Sequence, residues 1–235
     1  MLERNHYIRI SMISYFTKSK VALPSTTLKL DDWLNDIKTG KWRKVIEALR
    51  TKEDKAFTLV KNNLPCVTVS GTFKTRDVHT PLDKKLIQHS GFICIDVDKK
   101  DNPKMRAVDL VDKDCYAQFV SCSGEGKKIV YRCSPVSTAE EHRRIYDAVI
   151  KRLHDKGIKL KADPVVKSIM SLQYVSYDPQ LYFHPKTKLV VKPLPPIKVS
   201  QRLQPHIKDL DVELKQLNDY VDNLGETDVT KSYED

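Results

Sequence analysis

The chain has 235 residues, enough for one large domain or for a domain with an added module. Its 40% hydrophobic and 31% charged residues exclude a disordered chain, and no run approaches the roughly 20 apolar residues that cross a bilayer, so no membrane partner is expected. The net charge of +10 is uneven: from Ile207 onward three basic and nine acidic residues net −6, which leaves +16 on residues 1–206.

A body that basic suggests a polyanionic partner, nucleic acid foremost, although surface lysines serving only solubility fit the number equally well. The N-terminus, Met1-Leu2-Glu3-Arg4-Asn5-His6, lacks the pattern of a secretion signal, so a cytoplasmic protein is expected. Residues 7–13 have strand composition, and Leu30-Asp31-Asp32-Trp33 opens a helix with an aspartate available for capping. Trp42, Val45, Ile46 and Leu49 fall at helical spacing, and residues 52–62 read as a further helix stopped by Asn62-Asn63 and Pro65. Residues 91–98 are apolar almost to their end, which predicts a buried strand whose tip carries Asp96 and Asp98. Asn102-Pro103 begins a short predicted helix through Val111. Residues 115–122 and 127–133 are the two strands of a hairpin turning at Ser123-Gly124-Glu125-Gly126.

Thr138 and Glu141 have capping-box spacing, and the helix after them carries Ile145, Val149 and Leu153 on one face before ending near Gly157. Ile158, Leu160 and Ala162 alternate with lysines into Asp163, which places that aspartate at the end of a predicted strand. Pro193, Pro195 and Pro196 mark a linker over 193–206, and the acidic tail at 207–235 is helical around 210–224. The five cysteines read as buried free thiols; spacings of 7, 11 and 9 between Cys115, Cys122, Cys133 and His142 match no compact zinc module.

The chemistry concentrates in the middle. Asp96 and Asp98 alternate on one strand, so both carboxylates face the same way, about 7 Å apart along the chain. Projecting from a buried strand, two such anions repel unless a cation lies between them, and hard oxygen ligands favour Mg²⁺ or Mn²⁺. A solvated turn is the plainer reading of the pair. The glycines of Ser121-Cys122-Ser123-Gly124-Glu125-Gly126-Lys127-Lys128 let a backbone approach a phosphate, with lysine as a point charge, and an ordinary hairpin turn has the same composition. Lys128 shares a strand face with Val130 and Arg132. Lys74, Arg76, Lys84 and Lys85 suit a template backbone or a solvated loop. His89 and His184 suggest only local structural roles. Asp178, in Ser-Tyr-Asp-Pro, competes with Asp163 as a third acid, though Asp-Pro dipeptides favour turns.

Asp-x-Asp closing a hydrophobic strand, then Ser-Gly-x-Gly with a basic residue after it, then a hydrophobic-Asp strand end, resembles the archaeo-eukaryotic primase superfamily. The intervals, 30 residues from Asp98 to Lys128 and 35 from Lys128 to Asp163, are similar to those of small primase-polymerases. The closer similarity is to the VirE N-terminal-like domains of bacterial mobile elements and phages. It is carried by Leu64-Pro65-Cys66-Val67-Thr68-Val69-Ser70-Gly71-Thr72-Phe73, His89-Ser90-Gly91 and Val175-Ser176-Tyr177-Asp178-Pro179, and covers residues 7–190.

This resemblance implies an α/β (α+β) primase-polymerase domain over residues 1–192. Its core at 89–192 would be a mixed sheet of the RNA-recognition-motif type, beside an N-terminal αβ module at 1–88. It implies template-directed nucleotidyl transfer on single-stranded DNA in replication of a mobile element or phage, with Asp96, Asp98 and Asp163 as catalytic ligands of Mg²⁺ or Mn²⁺. Ser123, Gly124, Gly126 and Lys128 would hold the phosphates of a nucleoside triphosphate, and Lys74, Arg76, Lys127 and Arg132 are the expected nucleic-acid contacts. Residues 226–235 resemble the start of the small helical domain that leads to a helicase, so a helicase domain or protein is an expected partner and the chain is expected to be a fragment. Many superfamily members have histidine where Lys128 stands. That departure keeps open a non-catalytic module that recruits a helicase or initiator to single-stranded nucleic acid, and a metal-dependent nuclease is the third reading.

Overall fold

Apolar positions at strand and helix spacing build the described chain, residues 11–52, 54–77 and 79–196 of this computed structural model, into an α+β fold. The strands β1 (Met12–Phe16) and β2 (Thr26–Lys29) lead to helices α1 (Leu30–Thr39), α2 (Arg43–Arg50) and α3 (Asp54–Asn62). Then come β3 (Cys66–Thr68), β4 (Gly71–Phe73), the single turn α4 (Leu82–Lys85), β5 (Leu86–His89) and β6 (Phe92–Val97). The hairpin strands β7 (Ala117–Val120) and β8 (Lys127–Arg132) precede α5 (Ala139–Asp155). A 3-10 turn at Pro164–Lys167 leads to two short strands, β9 (Gln173–Tyr174) and β10 (Tyr182–Phe183).

One sheet has the order β2-β1-β3-β9, a second β10-β7-β8-β6, and β4 pairs with β5. All these pairings are antiparallel, so the described sheets are not the mixed sheet expected; a single isolated bridge from Cys133 to Val191, outside the strands, is parallel. The second sheet is covered on both faces, which is why its strands are apolar without alternation. Ile93, Ile95, Ile129 and Tyr131 join Ile145, Val149 and Leu153 of α5 in one core. Phe92, Cys94, Phe119 and Val130 join residues of α1 and the first sheet in another, where Trp33 meets Phe119 edge-on with ring centroids 5.5 Å apart. Each fully buried aliphatic side chain contributes roughly 1.5–3 kcal/mol to holding these layers together. A third cluster of Ile46, Leu49, Leu64, Cys122 and Val175 ties α2 to the turn after β7.

The expected capping box is present: Thr138 Oγ1 accepts from the Glu141 N–H at 3.1 Å and donates to Glu141 Oε2 at 3.0 Å. All five cysteines are buried and free, as their apolar settings suggested. Of the strand expected over 7–13, residues 7–10 lie outside the described residues, and the described strand is Met12–Phe16. No aspartate caps α1; Lys29 holds the N-cap position, while Asp31 and Asp32 lie in the first turn, where the helix dipole favours them.

Two sequence expectations fail for the same reason. Residues 102–111 form turns rather than a helix, and 158–162 have no regular secondary structure and join no sheet. The buried Asn102 side chain holds both segments, donating to the carbonyls of Asp98 (3.0 Å) and Lys161 (2.8 Å) and accepting from the Lys161 N–H (2.9 Å). Tertiary hydrogen bonds thus replace the local ones that a helix or strand would need.

The chain divides into two units, Met1–Leu194 and Pro195–Asp235. The expected acidic tail at 207–235, and the linker from residue 197 on, lie outside the described residues. No described helix is long and apolar enough to cross a membrane.

Candidate functional site

The strand β6 carries Asp96, and Asp98 follows one residue past its end; both line a cavity of about 480 Å³. Asp163 lines the same cavity from the segment after α5. It is brought there by backbone: its N–H donates to the Asp96 carbonyl at 3.0 Å, and its own carbonyl accepts from Tyr146 Oη at 3.1 Å. Two neighbouring carboxylates and a third from far along the chain therefore share one opening. The competing acid, Asp178, is instead buried structure, accepting from the N–H groups of Val120 (2.9 Å) and Gln180 (2.9 Å).

The β6–β8 register sets Asp96 opposite Lys128, whose ammonium pairs with Asp96 Oδ2 in a largely buried contact. Burial opposes the charge on Lys128, but the adjacent Asp96 carboxylate outweighs it and holds the ammonium pKa above the ordinary lysine value. Asp96 Oδ1 is buried with no hydrogen-bond partner. The Asp98 carboxyl is raised above the usual range by burial first, then by the negative charge of Asp96, with Asp163 adding to it.

The turn between β7 and β8 lies against this acid edge. Ser121, Cys122, Ser123 and Lys128 line the cavity, whereas Gly124 and Gly126 do not. Their N–H groups are satisfied inside the turn, Gly124 by the Ser121 carbonyl at 3.0 Å and Gly126 by Ser121 Oγ at 3.2 Å. The glycines serve close approach within the protein. Gly124 has φ +85°, and a Cβ at Gly126 would lie 3.0 Å from the Val97 carbonyl and 3.3 Å from Asp98 Oδ1. Arg50 of α2, which the sequence did not single out, clamps the turn by donating to the carbonyls of Ser121 (3.1 Å) and Cys122 (3.4 Å) and also to that of Tyr177 (3.0 Å).

The rest of the cavity wall is cationic and apolar. Arg76, an expected nucleic-acid contact, lines it while donating to the carbonyls of Ser19 and Met170, both at 3.3 Å. Lys61 lines it too, its ammonium 5.4 Å from the centre of the Tyr174 ring, and Met170, Leu172 and Tyr174 give an apolar side. Neither Lys61 nor Tyr174 carries a sequence signal that marks it.

The other expected nucleic-acid contacts lie elsewhere. Lys127 is a correction: it is fully buried, points to the α5 side of the sheet and donates to the Asp109 carbonyl, because strand alternation sends it away from Lys128. Arg132 shares the Lys128 face as expected, but it sits four residues along β8, about 13 Å away, stacked on Tyr116 and donating to the Pro185 carbonyl. Lys74 is exposed and lies outside the cavity lining. A second opening of about 560 Å³, bordered by His89, Pro135 and Glu141, contains none of the expected site residues.

Among the described residues, no group of three or more His, Cys, Asp or Glu side chains is drawn together closely enough to hold a metal ion. The donor chemistry nevertheless fits a hard divalent cation. Three carboxylates line one cavity, one buried oxygen lacks a partner, and Asp98 bears a repulsion that a cation would relieve.

Comparison with protein families matches residues 59–183, just over half of the chain, to the family described as BT4734-like, N-terminal domain. The matched stretch contains every residue that lines the carboxylate cavity, and leaves out Arg50. No curated protein and no solved structure matches the chain.

Proposed function

The chain belongs to the BT4734-like N-terminal domain family, and for this member we propose a metal-dependent nucleotidyltransferase, a primase-polymerase domain acting on single-stranded DNA in the cytoplasm. The observation that carries the proposal is the single cavity in which Asp96, Asp98 and Asp163 face Lys61, Arg76 and Lys128. Carboxylates and ammonium groups at one opening suit a substrate that brings both a hydroxyl to be deprotonated and a polyphosphate to be held. Asp96, Asp98 and Asp163 would hold Mg²⁺ or Mn²⁺, which when bound supplies the positive charge that activates a 3′-hydroxyl and stabilises departing pyrophosphate. Lys61, Arg76, Ser123 and Lys128 would bind the triphosphate, and Met170, Leu172 and Tyr174 would shelter the base and exclude water. Replication of a mobile element or phage, with a helicase as partner, is the setting in which such a domain acts.

A second reading has its own support. The pairing of Lys128 with Asp96 suits a non-catalytic module that keeps the cavity for binding nucleic acid alone. Nucleotide incorporation on single-stranded DNA with Mn²⁺ or Mg²⁺, with and without a primer, separates the two. Primer-independent products establish a primase, and primer-dependent products alone establish a polymerase. No product from a folded protein that binds DNA establishes the binding module, and metal-dependent shortening of the DNA would identify a nuclease.

A further inference from the structure

Resting on the metal-site reading above, we propose that Lys128 is a built-in stand-in cation, which neutralises Asp96 until a divalent ion binds and is then released toward the phosphates of the incoming nucleotide. The cross-strand register places the two residues directly opposite each other, and both side chains are largely buried, 10% exposed for Lys128 and 14% for Asp96. Neither of the other cations of the cavity is ion-paired with its carboxylates: Lys61 lies over the rings of Tyr174 and Phe57, and Arg76 donates to the carbonyls of Ser19 and Met170.

One carboxylate cannot hold an ammonium and a divalent ion in contact without strong repulsion between the two cations. An ion entering beside Asp98 and the unpartnered Asp96 Oδ1 therefore weakens the Lys128 pair. A lysine buried without a partner is costly, so the freed ammonium turns to the nearest anion. In the working complex that anion is the triphosphate. Metal and nucleotide then bind cooperatively through one side chain that changes partner, and by linkage each raises the affinity for the other.

The test uses the whole chain and Mn²⁺ alone, with free Mn²⁺ followed by electron paramagnetic resonance. Lys128→Met is expected to bind Mn²⁺ about tenfold more tightly than the unmodified protein, because a competing charge has been removed. Lys128→Arg keeps the charge and should stay within about twofold of it, and adding Asp96→Asn should abolish the gain. In the unmodified protein, acylation of Lys128 read by peptide mass spectrometry should rise several-fold when Mn²⁺ saturates the site, a readout independent of whether the variant folds. If the unmodified protein binds Mn²⁺ while Lys128→Met binds it no better, or if saturation leaves acylation unchanged, the exchange is overturned and the metal site survives. If neither protein binds Mn²⁺, the metal site and the exchange fall together.

Discussion

Two acid clusters flank the β10-β7-β8-β6 sheet, and they are compensated in opposite ways. On the α5 side the Asp112 carboxylate, fully buried, takes Lys156 at 2.7 Å, Arg152 at 3.3 Å, Tyr131 Oη at 3.3 Å and the Asp114 N–H at 3.0 Å. Burial opposes its charge, but Lys156 and its other partners outweigh that and hold the carboxyl below the ordinary range. On the cavity side one lysine contacts Asp96, Asp96 Oδ1 has no partner, and Asp98 is held above the ordinary range. The first arrangement is a structural ion network. The second leaves a carboxyl half-buried beside other acids without matching partners, the difference from a scaffold that the proposed cation site would need.

The largest effect should come from the cavity side. Asp96→Ala is expected to reduce nucleotide incorporation about a thousandfold while DNA binding, measured by anisotropy, stays near that of the unmodified protein. Acid separates the buried groups by a smaller but readable amount. Burial lowers His89 to about 4 and His142 to about 3, against 6.5 in the unfolded chain. Their contribution is therefore complete above pH 6.5 and is lost as pH falls toward those values, about 2 kcal/mol for each between pH 7.5 and 5.0. Urea unfolding at the two pH values measures this loss, and His142→Phe should remove its share. Asp112, lowered in the folded state, adds its own loss only as pH falls through the ordinary carboxylate range.

Asp112→Ala removes the buried anion of this network and leaves Arg152 and Lys156 with Asp114 alone, which should cost about 3 kcal/mol in urea unfolding, with Mn²⁺ binding intact. Arg50→Ala releases the turn from its clamp and should cost about 2 kcal/mol. Because the turn lies against Asp98, it should also lower incorporation several-fold, which Asp112→Ala should not. Equal effects of the two substitutions on incorporation would break the distinction between scaffold and site.

What was legible in the sequence was local. The apolar strand ending at Asp96, the hairpin turning at Ser123–Gly126 and the Thr138–Glu141 cap are short-range patterns, and each is found in the structure. Alternation correctly placed Lys128, Val130 and Arg132 on one face. It could not say that α5 would cover the opposite face, which is why Lys127 is buried rather than available to nucleic acid. Asp163 reaches the cavity by a long-range backbone bond to Asp96 rather than at the tip of a strand, because Asn102 holds the preceding segment out of any sheet. Arg50, Lys61 and Tyr174 come from distant segments and have no motif, so only packing reveals them.

The most direct test of the central claim, that these carboxylates stay together for a cation, is thermal unfolding of Asp98→Asn with and without Mn²⁺. Relief of the repulsion should raise the metal-free Tm by about 1–3 °C, while the rise that Mn²⁺ gives the unmodified protein should be lost. A lower metal-free Tm together with an undiminished Mn²⁺ shift would contradict the account and place Asp98 among the structural acids.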